Sequence, residues 1–170
     1  MLFVNTGNGK GKTTAAIGQV IRALGRGYKV CIIQLFKGKE FYGEQNVLAT
    51  LKNLELHSFA QKHPFCFREI DPKLVKKQCS EALAFAGRKM ASGKYELVVL
   101  EEFNIAVREG FITVKDLLKV INQNTKNIKI IVTGRGAKKA LLSKADLVTE
   151  MKEIKHYFKK GVKAIKGIEF

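Results

Sequence analysis

The chain has 170 residues, 46% of them hydrophobic and 27% charged, which suits one domain with a buried core and excludes a disordered or fibrous protein. Its 31 Lys and Arg against 15 Asp and Glu leave a net charge of +16, which favours anionic partners without choosing among nucleotides, nucleic acid, acidic proteins and lipid headgroups. Three cysteines with no C-x-x-C pair fit neither a disulfide framework nor a zinc site. No stretch approaches the ~18 apolar residues of a membrane span, and the N-terminus lacks the regions of a signal peptide, so a cytoplasmic protein is expected.

Taken in chain order, short apolar runs alternate with segments of helical period, the pattern of a parallel α/β sheet in a single domain over 1–170. The run "LFV" leads into "TGNGKGKTT" (Thr6–Thr14). A helix beginning near Lys12 then carries Ala16, Val20, Ile21 and Leu24 on one face and stops at Gly25-Arg26-Gly27. Strands are predicted at Lys29–Phe36 and Leu54–Phe59. Asp71 followed by Pro72 starts a helix, since Asp caps and Pro suits the first helical position. Its apolar face is Val75, Cys79, Ala82, Leu83, Ala86 and Met90, which makes Cys79 a core residue. The strand Glu96–Leu100 comes next. Thr113 and Asp116 form a capping box ahead of Leu117, Leu118 and Ile121. Ile128–Thr133 and Asp146–Met151 are the last predicted strands, before a basic and less regular tail from Lys152.

Chemistry concentrates where strands end. "TGNGKGKT" nearly matches the phosphate-binding pattern G-x-x-x-x-G-K-[ST], with Thr6 in place of the first glycine. Gly7, Gly9 and Gly11 would let backbone N–H groups turn inward around phosphates, and the helix beginning near Lys12 would add its positive dipole end. Lys12 would neutralise phosphate charge and the Thr13 hydroxyl would sit on Mg²⁺. A glycine-rich turn with incidental lysines is the plainer alternative, but strand, loop and helix together argue against it. Glu101 and Glu102, directly after an apolar strand, supply the acidic group such a site needs for its metal. Arg135, between two glycines in "VTGRG", stands where it could reach a phosphate or ribose, or be an exposed turn residue. In "HPFCFRE" the alternating Phe65 and Phe67 suit a short strand, or a flat apolar ligand. His57, His63 and His156 have no metal-ligand spacing to one another.

Together "TGNGKGKTTAAIG", "VCIIQLFKG" followed by "GEQN", "ELVVLEEFNIA", "VTGRG", "ADLVTEM" and the closing "IKHYFKKGVKAIKGIEF" resemble the P-loop ATP:corrinoid adenosyltransferases nearly end to end. The resemblance implies a RecA-like P-loop fold, a mostly parallel central sheet flanked by helices. It implies ATP bound with magnesium in reversed sense, and cobalt(I) of a reduced corrinoid attacking the ribose 5′ carbon to release triphosphate. By motif it assigns the nucleotide to Gly7, Asn8, Gly9, Lys10, Gly11, Lys12, Thr13 and Thr14, with Arg22 and Arg135. It assigns magnesium to Thr13 and Glu102, with Glu101 beside them, and the corrin ring to Phe65 and Phe67. A flavodoxin-type reductant and a homodimer are implied as partners. The family reads Asp-Glu where this chain has Glu101-Glu102, and Phe-x-Trp where it has Phe65-Cys66-Phe67. It often carries an N-terminal segment ahead of the strand that begins here at Met1. Two rival readings are a RecA-like ATPase acting on nucleic acid and a nucleotide-binding regulator without chemistry. No nucleic-acid recognition motif accompanies the P-loop.

Overall fold

The protein is described by a computed structural model over residues 1–38, 42–63, 70–123 and 127–168. Its centre is a six-stranded sheet made of β1 (Leu2–Thr6), β2 (Val30–Leu35), β3 (Leu54–Phe59), β4 (Leu97–Glu101), β5 (Lys129–Thr133) and β6 (Leu147–Glu150). The strand order is β3-β2-β4-β5-β1-β6, and every pairing among them is parallel. All six strands lie where the sequence predicts them.

The reason is visible in the alternation of side chains. Along β2, Cys31, Ile33 and Leu35 enter one core, while Val30 and Ile32 enter the other. β4 divides in the same way, with Val98 and Leu100 facing one side and Leu97 and Val99 the other. A strand buried on both faces needs apolar residues at every position, so it reads as a continuous branched run. The inner strands carry buried polar residues towards their C-terminal ends, at Asn5, Thr6, Gln34, Glu101 and Thr133, and burial falls off at the margins of the sheet. β6 is exposed along its whole length, and β3 is half-buried throughout.

Among the described residues, six α-helices flank the sheet: α1 (Lys12–Gly25), α2 (Gly43–Leu48), α3 (Pro72–Ala91), α4 (Phe103–Arg108), α5 (Val114–Asn122) and α6 (Lys139–Leu142). The longer ones begin as the sequence predicts. Asp71 Oδ1 accepts the Lys73 N–H at 2.8 Å at the head of α3. Thr113 Oγ1 accepts the Asp116 N–H at 3.0 Å and donates to its carboxylate at 2.6 Å at the head of α5. Cys79 is fully buried in the core, and burial alone pushes its thiol up to about 12. Cys31 is equally buried, so neither thiol is a nucleophile at neutral pH.

Parallel strands all end on one edge of the sheet, and that edge collects the residues lying just beyond each strand's end. The glycine loop comes after β1, Lys37 after β2, Glu102 after β4 and Arg135 after β5. No helix among the described residues is long and apolar enough to cross a membrane.

Candidate active site

The loop between β1 and α1 bends through Gly7 at φ 98° and Gly11 at φ 114°. Positive φ is costly for any residue with a Cβ. At Gly7 there is a second constraint, because a Cβ would run into the backbone carbonyl of Met151. The Gly9 N–H donates to that same carbonyl at 2.8 Å, so the loop lies against the chain leaving β6. Lys12 is buried, and its ammonium donates to the Gly9 carbonyl at 2.6 Å. Burial, and then the nearby Arg135, lower its pKa.

The loop forms one side of a cleft of about 520 Å³ whose wall includes Gly9 to Thr14, Lys37, Glu102, Arg135 and His156. A second cleft of about 420 Å³ adjoins it, with Phe36, His63, Ile105 and Arg108 on its wall. The two share Lys37, Tyr42, Glu102 and Arg135. Phe36, His63 and Phe111 are mutually packed there, with Phe36 and His63 ring centroids 4.7 Å apart. A cationic, amide-lined cleft thus meets an aromatic one along a common seam.

The two glutamates after β4 have different surroundings. Glu101 is buried and fully engaged: one oxygen accepts the Thr13 hydroxyl at 2.5 Å and the other accepts the Thr133 hydroxyl at 2.5 Å. Lys37 stands 3.4 Å from it. Glu102 adopts a left-handed conformation at φ 63°, which turns its side chain toward the clefts. Its N–H donates to Thr133 Oγ1 at 3.0 Å, while its buried Oε2 has no hydrogen-bond partner among the described residues. Thr133 therefore ties both glutamates to β5. Gly134, at φ 122°, leaves room for them, since a Cβ there would sit 3.0 Å from Glu102 Oε2. Asn104 Nδ2 fixes the same turn by donating to the Gly134 carbonyl at 3.2 Å.

Burial, and next the charge of Glu101, push the Glu102 carboxyl up to about 7 from its ordinary 4.5. The folded protein thus holds this proton more tightly than the unfolded chain does, so protonation favours the folded state. Without nucleotide, stability is expected to fall as the pH rises from 4.5 to about 7 and to level off above. Glu102→Gln is expected to flatten that slope in thermal melts, and an unchanged slope would assign it to another group.

The structure brings Gly9, Lys10, Gly11, Lys12, Thr13, Thr14, Glu102 and Arg135 to one cleft, with Glu101 directly behind Thr13. Gly7 shapes the loop from behind, and Asn8 is exposed. Arg22 is not brought there. It lies in the last turn of α1 beside Tyr28, Glu96 and Lys129, at the opposite edge of the sheet. Phe65 and Phe67 lie outside the described residues. Sequence reasoning missed Lys37, although a charged residue closing an apolar strand is the same signal that singled out Glu101 and Glu102. It also missed Thr133 and Asn104.

Among known proteins, a chain from Pyrococcus horikoshii OT3 described as a KaiC-like protein superposes with a TM-score of 0.58 at 15% identity, covering 90% of this chain and 72% of that one. That likeness concerns the fold alone, a P-loop sheet of the RecA type. Sequence relatives are nearer. A corrinoid adenosyltransferase of Pseudomonas aeruginosa is 37% identical over 170 residues, all of this chain and 83% of that protein. One from Escherichia coli K12 is 34% identical, and one from Salmonella typhimurium is 33% identical, each over all of this chain and 85% of the relative. A sequence model of the family described as ATP:corrinoid adenosyltransferase BtuR/CobO/CobP matches residues 1–170. With that match running over the glycine loop, both glutamates and Arg135, the chain belongs to the ATP:corrinoid adenosyltransferase family.

Proposed function

We propose that this protein transfers the 5′-deoxyadenosyl group of ATP to the cobalt(I) of a corrinoid and releases triphosphate. The observation that carries the reading is the seam between the two clefts. A phosphate-binding loop on one side and an aromatic surface on the other suit a triphosphate and a flat corrin ring meeting at the ribose between them. Phe65 and Phe67, two and four residues after His63, continue the chain from the aromatic wall and are the residues proposed to meet the corrin.

The loop Gly7 to Thr14 holds the triphosphate through backbone N–H groups other than that of Gly9, which is bonded to Met151, and through the dipole end of α1. Lys12 neutralises its charge from within the loop, and Arg135 does so from the rim. The donor set fits a magnesium ion. Glu102 Oε2 is a buried acceptor without a partner among the described residues, the Thr13 hydroxyl lines the same cleft, and Glu101 orients that hydroxyl. Bound there through Thr13 and Glu102, magnesium would supply charge neutralisation to the phosphates. Cobalt(I) carries no proton to remove, so the chain needs no general base. Its contribution is alignment of C5′ with the attacking metal of the substrate, exclusion of water and stabilisation of the departing charge.

A reduced corrinoid requires an electron donor. The +16 charge suits an acidic flavodoxin-type reductant in the cytoplasm. Exposed Leu147 and Val148 on the outer strand β6 support assembly as a homodimer.

The products test the reading. Incubation with Mg-ATP and chemically reduced cobalamin is expected to give triphosphate and adenosylated corrinoid in equal yield, with almost no ATP consumed when the corrinoid is omitted. Corrinoid-independent release of ADP and orthophosphate, stimulated by DNA or RNA, would overturn it in favour of a nucleic-acid ATPase.

A further inference from the structure

Lys37 comes after β2 at the active edge of the sheet, and its side chain is nearly buried. Its ammonium lies 3.4 Å from Glu101 Oε1, the atom that also accepts the Thr13 hydroxyl, and 3.1 Å from Glu44 Oε1 on α2. It stands 4.8 Å from the centroid of the Tyr42 ring. Burial works against its charge, but the Glu101 and Glu44 carboxylates outweigh burial and raise its pKa, so Lys37 is an ammonium at any physiological pH.

A buried lysine beside a buried glutamate could be a counter-ion and nothing more. Its position argues for a further role. Lys37 lines the phosphate cleft and the aromatic cleft alike, on the seam where the proposed reaction breaks its bond. Lys12 lines the phosphate cleft and is absent from the wall of the other. Arg135 shares the seam but is exposed, where water screens its charge. Lys37 is thus the buried, permanently charged cation of the described residues on the wall common to both clefts.

We propose that Lys37 is the leaving-group cation of this site: its ammonium stabilises the negative charge that gathers on the triphosphate oxygen as that oxygen separates from C5′. This rests on the adenosyl-transfer reading above. In that step an electron pair of cobalt(I) forms the bond to C5′, and the pair of the C5′–O bond passes to the oxygen. The cobalt rises formally from +1 to +3, and the triphosphate gains one negative charge. No proton moves, and Lys37 keeps its own. Glu44 and Glu101 hold the ammonium at the seam before the substrate arrives, so little reorganisation accompanies the reaction.

The test uses the full chain with Mg-ATP and chemically prepared cob(I)alamin. Lys37→Met is expected to lower kcat about 100-fold, the effect of removing one preorganised donor to a developing oxyanion, while the KM for ATP changes about threefold or less. Free triphosphate carries the charge that the ester lacks, so Lys37→Met is also expected to weaken inhibition by inorganic triphosphate about tenfold, more than it weakens ATP binding. Lys37→Arg is expected to restore much of the lost kcat. Full kcat in a folded Lys37→Met protein would overturn the proposal. So would equal losses in the Met and Arg variants with triphosphate inhibition unchanged. Should Lys37→Met be too unstable to assay, Glu44→Gln decides, because Glu101 still holds the ammonium while one of its two neutralising charges is gone. Removing the competing carboxylate is expected to strengthen triphosphate inhibition, and unchanged or weaker inhibition overturns the assignment. A wild-type chain that makes no adenosylated corrinoid would instead overturn the reaction on which the proposal stands.

Discussion

Lys12→Ala is expected to lower adenosylation by about 1,000-fold or more while leaving the protein as stable as before, because on the proposed reading the lysine neutralises triphosphate charge in the loop, and it contributes little to packing. In the absence of nucleotide the ammonium is buried, its pKa is lowered, and Arg135 repels it. Against these costs stand one hydrogen bond to the Gly9 carbonyl and the attraction of the Glu102 and Glu101 carboxylates. Losing that bond and relieving the burial are each effects of about 1 kcal/mol, so they nearly cancel. Activity and stability therefore separate at this position, as expected where a group is held ready for a ligand. Triphosphate release and thermal melting on the same preparation check it. Wild-type turnover in a folded Lys12→Ala protein would remove the loop from the active site.

The second large effect is expected at Gly7, and here stability and activity fall together. Gly7→Ala places a Cβ into the Met151 carbonyl at a backbone angle of φ 98°. Neither the loop nor the chain leaving β6 can yield without breaking the hydrogen bond from Gly9 to that carbonyl. A destabilisation of about 3 kcal/mol or more is expected, combining backbone strain with a clash against main chain. Gly18→Ala is the matching control. Gly18 lies within α1, and a Cβ there meets nothing within 4 Å. Alanine at that site is expected to stabilise by about 0.5–1 kcal/mol through its higher helix propensity. Urea unfolding of both variants compares them directly, and equal midpoints would mean that the loop is not held as described.

The contrast between these two glycines shows what a sequence can and cannot carry. Both read simply as Gly, and only the returning chain at Met151 distinguishes them. The strands were legible because burial on both faces leaves a continuous apolar run, and the long helices were legible from their caps. α2, α4 and α6 have six, six and four residues, too few turns for a helical period to emerge. The loop with Lys12 and Thr13 was legible because its chemistry is local.

The division of labour between the glutamates was not. Adjacent residues of a strand point to opposite faces, which alone would separate Glu101 from Glu102. The left-handed turn at Glu102 changes that geometry and brings both to the same edge. Such a turn is set by Thr133 and Gly134 from another strand, and no local pattern announces it. Arg22 is the opposite case. Ten residues of helix beyond Lys12 span about 15 Å, so arithmetic on the sequence alone places it away from the loop.

The order of strands has a consequence for the birth of the molecule. β1 pairs with β5 and β6, whose residues leave the ribosome more than a hundred positions after it. Until residues 129–150 emerge, the strand carrying the glycine loop has no strand partner among the described residues, while β2, β3 and β4 can already assemble. The strand made before the other five is therefore among the last to become native. Its long-range pairings make folding slow to complete, and the proposed nucleotide cradle is complete only after translation of the strands that close the sheet.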